Sequence, residues 1–156
     1  MRIKKVKLTD TGKIVMVYEK STKNGIWDEY SFSCSEAAKP SFYAAMAKLA
    51  THVVEMCELP ESFTEKISVR GVSFSYGGEK EVMGATISAQ MKLDKSYQNL
   101  NINTPHKASD SYSDSPADDM QLLTDDCIDD LLKLQAECED YIDGDRAQGR
   151  LFKEIA

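Results

Sequence analysis

Four aspartates that follow residue 124 form the densest group of residues that could do chemistry. On a helix, Asp126 shares a face with Asp129 and Asp130, and Asp125 precedes them. Magnesium binds one or two protein carboxylates together with substrate phosphates. The chain has neither glycine-rich pattern, G-x-x-x-x-G-K-[ST] or G-x-G-x-x-G, that would hold those phosphates. We therefore predict no metal and no cofactor.

A second acidic pattern begins like a calcium-binding loop, with Asp143 and Asp145 on either side of Gly144. Residues 146–148 lack the further acid and the sharp-turn glycine of that loop. A zinc site would need clustered Cys or His ligands. The cysteines are instead far apart, without a C-x-x-C pair, and each falls on an apolar stripe: Cys34, Cys57, Cys127 and Cys138. This usage predicts reduced thiols and a cytoplasmic location.

Nucleophilic catalysis has little support in the sequence, because it needs a Ser or Cys beside a base that a third group holds in place. The two histidines are His52 and His106, and the chain has no G-x-S-x-G pattern. His52 borders the apolar stripe of a predicted helix, where a single histidine is more often packed or solvated than a ligand. We therefore expect a protein that is not an enzyme.

The net charge of −7 over 156 residues is unevenly distributed. Residues 110–145 carry 13 acidic residues against the single Lys133, whereas residues 1–109 carry 15 basic residues against 12 acidic ones. Such a segment is typical of a solvated acidic helix and loop, and it also bears on electrostatic partners. No apolar run approaches the ~20 residues that span a bilayer, so we expect no membrane association.

The elements that position these residues are organised around residues 67–93. Their second half alternates strictly between apolar and polar side chains from Met83 to Leu93, which indicates a half-buried strand. The first half also alternates, but its parity slips by one residue at Gly71, as at a β-bulge. Gly77 and Gly78 supply the turn. We predict a long central hairpin on which the other elements pack.

Three strands are predicted before this hairpin, over residues 2–8, 13–19 and 27–34, with Asn24 and Gly25 at the second turn. They form an up-and-down meander. Lysines on an edge strand guard against aggregation, so this pattern would explain Lys4, Lys5 and Lys7 without a ligand.

Two helices are predicted, one over residues 41–58 and one that begins at the N-cap Thr124 and ends at Gly144. The apolar face of the first helix consists of Phe42, Met46, Leu49, Val53 and Met56. The stripe of the second is Ile128, Leu131, Gln135, Cys138 and Ile142, widened by Leu132, Leu134 and Tyr141. Between hairpin and second helix, residues 97–103 alternate as an edge strand would.

The order β-β-β-α-β-β-(β)-α predicts an α+β fold, a two-layer sandwich of an antiparallel sheet of five or six strands with two helices on one face. Residues 1–145 form a single domain in this interpretation. Residues 104–119, rich in Ser, Asp and Pro, form a flexible loop. Residues 146–156 form a C-terminal tail.

The strongest functional signal lies in this tail, at Gln148-Gly-Arg-Leu-Phe152. The peptide resembles the pentapeptide by which bacterial replication and repair proteins dock on the sliding clamp. The resemblance implies that Leu151 and Phe152 enter an apolar pocket and that Gln148 forms a hydrogen bond at its rim. Gly149 stands where that motif often has leucine, which weakens the fit. In the alternative interpretation, Leu151 and Phe152 fold back onto the last helix.

The chain as a whole is similar to small uncharacterised proteins encoded in phages and prophages of gut Firmicutes, through residues 25–34, 69–78 and 145–152. That resemblance implies the cytoplasm of an infected bacterial cell. Together with the terminal peptide, it implies a non-enzymatic phage accessory protein of DNA replication or recombination that docks on the host sliding clamp.

Two alternatives stay open. The sheet could bind single-stranded nucleic acid by stacking bases on Tyr18, Trp27 and Tyr97, with the acidic segment competing for the same surface. The acidic segment could instead imitate nucleic acid and inhibit a host defence protein. The sequence leaves the identity of the protein partner and the oligomeric state open.

Overall fold

The computed structural model describes residues 1–110 and 121–147. It confirms the predicted α+β fold, with helices packed on an antiparallel sheet. The strand order is β3-β2-β1-β4-β5-β6, and β7 pairs with β5 beside β6. The strands are β1 (Arg2–Leu8), β2 (Ile14–Ser21), β3 (Trp27–Cys34), β4 (Ile67–Gly77), β5 (Val82–Lys92), β6 (Asn99–Asn103) and β7 (Lys107–Ala108), and the helices are α1 (Pro40–Lys48), α2 (Ala50–Met56), a 3-10 helix (Glu61–Lys66) and α3 (Asp125–Ile142).

The central hairpin of β4 and β5 has the predicted bulge at Gly71. The register shifts between Val69 and Gly71, which leaves Arg70 as the extra residue. Such bulges often need a glycine because one residue has a positive φ, but Gly71 does not. The glycine is required here for another reason. A Cβ at this position would lie 2.6 Å from the carbonyl oxygen of Val6 on β1. Gly71 therefore lets two backbones approach each other closely.

The N-terminal meander is confirmed, but its first strand lies in the middle of the sheet. β1 pairs with β2 on one side and with β4 on the other. The interpretation of Lys4, Lys5 and Lys7 as guards of a sheet edge is therefore wrong, because β1 has no free edge. A second bulge lies in β1, where the register shifts between Ile3 and Lys5.

The helix predicted over residues 41–58 is two shorter helices that meet at Leu49. The N–H of Leu49 donates to the carbonyl of Met46, three residues back. This is the hydrogen bond of a 3-10 turn, which is narrower than an α-helical turn and separates α1 from α2. Phe42, Met46, Leu49 and Val53 are buried as predicted. The second helix ends at Met56, before Pro60.

Helix α3 begins and ends as the sequence predicts. Thr124 Oγ1 accepts a hydrogen bond from the N–H of Cys127, and Gly144 follows the helix at φ 94°. The buried stripe is rotated relative to the predicted one, since Leu132 is 48% exposed. Its buried residues are Cys127, Asp130, Leu131, Leu134, Cys138 and Tyr141.

The first part of the predicted loop over residues 104–119 contributes to the sheet. Thr104 is buried, and its side chain accepts a hydrogen bond from the N–H of Ile87 on β5. β7 then pairs Lys107 and Ala108 with β5. Residues 111–119 of that loop lie outside the described residues. Residues 99–103 form the edge strand that the alternation predicted.

The helices and one face of the sheet enclose a single core. Side chains of opposite parity form the other face, here called the open face: Lys5, Lys7, Val15, Val17, Glu19, Glu29, Ser31, Ser33, Ser73, Thr86, Ser88, Gln90, Asn101 and Asn103. Among the described helices, none combines the length and the apolar character that a bilayer span requires.

We expect Gly71→Ala to lower the free energy of unfolding by about 1–3 kcal/mol, because the added methyl group would force β1 and β4 apart. Ser73→Ala, on the same strand and face, is the control and should change it by less than about 0.5 kcal/mol. Urea denaturation followed by circular dichroism measures both. Equal stabilities of the two variants would contradict the close approach.

Candidate functional site

The open face is polar, and in the two rows that cross its centre the charged side chains are basic. From β3 to β5, one row of paired residues crosses the sheet as Ser31, Val17, Lys5, Ser73 and Thr86. The next row continues to β6 as Ser33, Val15, Lys7, Gly71, Ser88 and Asn103. Apart from the two valines and Gly71, which has no side chain, these residues carry a positive charge, a hydroxyl group or an amide group. The face is therefore built to form hydrogen bonds and to attract anions.

The open face contains a concavity of about 500 Å³, lined by residues of β1, β4, β5 and β6 and by Thr9 and Asp10, which follow β1. The bulges in β1 and β4 lie in adjacent strands, and a bulge bends its strand and increases the local twist. Gly71 contributes no side chain to the floor. The two bulges and the bare glycine together account for a groove across the middle of the sheet.

Two positive charges in this groove have no acidic partner in the part of the chain that the structure describes. Lys5 and Lys7 are exposed, and within residues 1–110 and 121–147 neither forms an ion pair. The neighbouring basic groups differ, because Lys4 pairs with Glu19 at 3.8 Å and Arg70 with Asp10 at 3.0 Å. The potential of the groove is therefore set by Lys5 and Lys7.

Amides extend the groove towards β6. Ser88 Oγ donates to Asn103 Oδ1 at 2.8 Å, and Gln90 Nε2 donates to Asn101 Oδ1 at 3.3 Å. Both asparagine carbonyls are thus used within the sheet, which orients each NH₂ group as a donor for a ligand. Fixed neutral donors beside two lysines suit a ligand that carries both charged and neutral oxygens.

The structure does not bring the three predicted stacking residues together. Tyr18 lies on the helix side of the sheet, stacked on Tyr30 at 5.3 Å and edge-on to Phe32. Trp27 begins β3 at one edge of the sheet. Tyr97 precedes β6 at the opposite edge and is 86% exposed.

A cation–π contact covers one side of Trp27. The guanidinium of Arg2 lies 4.0 Å from the centroid of the Trp27 ring and 4.6 Å from that of Tyr76. Arg2 also donates to Glu19 Oε1 at 3.1 Å. Trp27 is therefore part of a structural cluster that holds the ends of β1, β3 and β4 together.

Sequence reasoning missed a contact between Ser75 and His106, which are 31 positions apart. Ser75 Oγ lies 2.7 Å from His106 Nε2. Both side chains pack over Gly84, where a Cβ would meet them at 2.6–2.8 Å. A nucleophile and a base are thus in contact, but in the described part of the chain no third group hydrogen-bonds to the imidazole. The contact adds a polar group to the open face.

The histidine predicted to be packed or solvated, His52, is buried in an ion cluster. Its Nε2 lies 2.7 Å from Asp130 Oδ2, and Lys48 Nζ lies 3.2 Å from Asp130 Oδ1. Burial alone would raise the pKa of Asp130, but hydrogen bonds from His52 and Lys48 outweigh it and hold that pKa below its ordinary value. The carboxylate therefore accepts from both groups and joins α1 and α2 to α3.

Cys127 and His52 line a second cavity of about 510 Å³ on the helix side. Desolvation raises the pKa of Cys127 to about 12, so its thiol stays protonated at neutral pH and is a poor nucleophile. Asp130 is occupied by the ion cluster, whereas Asp125, Asp126 and Asp129 are exposed. Throughout the described ranges, no group of three or more Cys, His, Asp or Glu residues is placed to hold a metal ion.

The predicted clamp-binding residues Gln148, Leu151 and Phe152 lie outside the described residues. The chain just before them is held to the domain. Arg146 Nη1 pairs with Glu36 at 2.6 Å, and the N–H of Ala147 donates to the carbonyl of Ala37 at 3.2 Å. Residues 146 and 147, the part of the predicted tail that the structure describes, are therefore bound to the segment between β3 and α1.

Comparison with known proteins gives no relative: no family model, no curated protein and no solved structure matches this chain. The similarity to phage proteins therefore stays a prediction.

We expect Asp130→Asn to destabilise the protein by about 1–2 kcal/mol at pH 7, because the buried His52 and the partly exposed Lys48 lose a charged hydrogen-bond acceptor. The folded-state pKa of Asp130 is lowered, so its contribution is complete above the unfolded pKa of about 3.9 and is lost as the pH falls through the folded pKa. The difference from wild type should therefore shrink below about pH 4.

Urea denaturation between pH 3 and pH 7 measures this difference. Asp129→Asn, an exposed neighbour with the same chemistry, is the control and should change stability by less than about 0.5 kcal/mol. A difference between wild type and Asp130→Asn that does not vary with pH would contradict the ion cluster.

Proposed function

We propose that the protein is a non-enzymatic accessory protein that binds single-stranded nucleic acid on its open face. The observation that carries this proposal is the position of Lys5 and Lys7, exposed and without an acidic partner among the described residues, in a groove across the centre of the sheet. Lysines that contact phosphates supply most of the sequence-independent affinity for nucleic acid.

The composition of the groove favours contacts to the phosphate–sugar backbone. Its side chains donate and accept hydrogen bonds, through Ser73, Ser88 and Asn103, and among the described residues no aromatic ring lines it. Most contacts of nucleic-acid-binding proteins that do not read sequence go to phosphate and sugar. In this proposal, binding depends weakly on base identity and strongly on salt.

The two sides of the domain differ in charge, which orients such a ligand. Helix α3 packs on the opposite side of the sheet from the open face, so its aspartates do not compete for the groove. Part of the acidity of this region is also neutralised, because Lys39 Nζ lies 3.0 Å from carboxylate oxygens of Asp140 on α3 and of Asp145 after it. This separation of charge supports the open face as the anion-binding side.

We expect Lys5→Gln/Lys7→Gln to weaken binding of a labelled single-stranded oligonucleotide and to reduce the slope of log K against log salt concentration by about 1.4, or about 0.7 for each lost phosphate contact. Fluorescence anisotropy from 20 to 200 mM salt measures both quantities.

The matched control is Lys23→Gln/Lys80→Gln, which removes the same charge from two exposed hairpin loops. It should leave the slope close to that of wild type. An equal effect of the two double variants would assign binding to net charge alone, and absence of binding by wild type at 20 mM salt would overturn the proposal.

A second candidate function is docking on a bacterial sliding clamp through Gln148, Leu151 and Phe152. The anchoring of Arg146 and Ala147 to Glu36 and Ala37 favours it, because the domain then holds the chain directly before the peptide. A fixed point of departure limits the conformational freedom that a docking peptide loses on binding. The two functions are compatible, since one uses the sheet and the other the tail.

Wild-type protein should bind purified bacterial clamp with a dissociation constant on the order of micromolar, and Leu151→Ala/Phe152→Ala should abolish binding in surface plasmon resonance. Lys153→Ala/Glu154→Ala, in the same tail, should retain it. Equal binding by both variants, or none by wild type, would remove this function and leave oligonucleotide binding unaffected.

A further inference from the structure

The outer edge of β3 is long and straight. All eight residues of β3 pair with β2 in one continuous register, without a bulge. On its other side, β3 pairs with no strand from the described part of the chain. The edge therefore presents a row of backbone N–H and C=O groups that can pair with another strand.

The opposite edge of the sheet, unlike that of β3, is protected against pairing with another strand. The outer side of β5 is covered by the short strands β6 and β7, of five and two residues. Pro105 lies between them and has no N–H to offer. β3 has neither proline nor lysine, two residues by which natural sheets protect their edges, and its charged residues, Asp28 and Glu29, lie near one end of the strand.

We propose that β3 pairs with β3 of a second copy of the chain, antiparallel about a twofold axis through Ser31. Paired residues in an antiparallel ladder lie on the same face, so a residue of even number must face another even-numbered one. An axis through any one residue satisfies this condition, and an axis at Ser31 sets Tyr30 of each copy opposite Phe32 of the other.

The side chains that this register places opposite each other are compatible. Tyr30 is 46% exposed although it stacks on Tyr18, and its pairing with Phe32 extends that aromatic cluster across the axis. The acidic residues meet no like charge, because Asp28 lies opposite Cys34 and Glu29 opposite Ser33. An axis at Tyr30 would set Asp28 opposite Phe32, which is less favourable.

The pairing would join the two sheets into one, with both open faces on the same side. The two grooves would then lie on one continuous surface. The dimer does not depend on nucleic-acid binding, and each can fail without the other.

Two substitutions on the same strand and face test the register. Ser31 and Ser33 are both exposed. Ser31→Lys places two positive charges opposite each other at the axis, and we expect it to raise the dimer dissociation constant at least about fivefold. Ser33→Lys places each lysine opposite Glu29 of the other copy, and it should leave the dimer as stable as wild type or more stable.

Light scattering after size exclusion and sedimentation equilibrium measure the mass and the dissociation constant. The expected wild-type mass is twice the 17.4 kDa of one chain. A wild-type protein that is monomeric at 200 µM would overturn the proposal. This holds even if other residues of the same chain cover the edge of β3. A dimer that responds equally to both substitutions would overturn it as well.

Discussion

The pairing of β1 with β4 is the contact on which the rest of the structure depends. It joins the N-terminal meander to the central hairpin through three residue pairs, and one of them sets Lys7 opposite Gly71. The carbonyl of Val6 approaches Gly71 so closely that a Cβ would not fit. The same contact fixes the positions of Lys5 and Lys7, so a constraint on packing also determines the candidate site.

The two layers of the domain handle charge in different ways. In the helical layer, Asp130 is buried and compensated by Lys48 and His52. A buried carboxylate is costly unless it is paired and hydrogen-bonded, and this cluster forms where α2 follows the break at Leu49. On the open face, Lys5 and Lys7 have no acidic partner among the residues that the structure describes. This difference between layers is the main structural support for the proposed function.

Much of the fold could be predicted because its signals are local. Strict alternation identified β5, the slip of parity located the bulge at Gly71, and Thr124 and Gly144 marked the ends of α3. The strand order could not be predicted, because it depends on pairings between distant residues. For that reason, β1 was expected at an edge, and its lysines received the wrong explanation.

The site was harder to predict than the fold for the same reason. The contacts between His52 and Asp130 and between Ser75 and His106 join residues 78 and 31 positions apart. No periodicity or motif relates them. The aromatic residues were chosen for their type alone, and neighbouring strands place Tyr18 on the helix side and Trp27 against Arg2.

The central claim is that nucleic acid occupies the groove of the open face. The most direct test is a titration of ¹⁵N-labelled protein with a single-stranded oligonucleotide, followed by the backbone amide signals in NMR spectra. We expect the largest shifts on β1, β4 and β5, around Lys5, Ser73 and Ser88. Shifts confined to α1 and α3, or none at low salt, would contradict it.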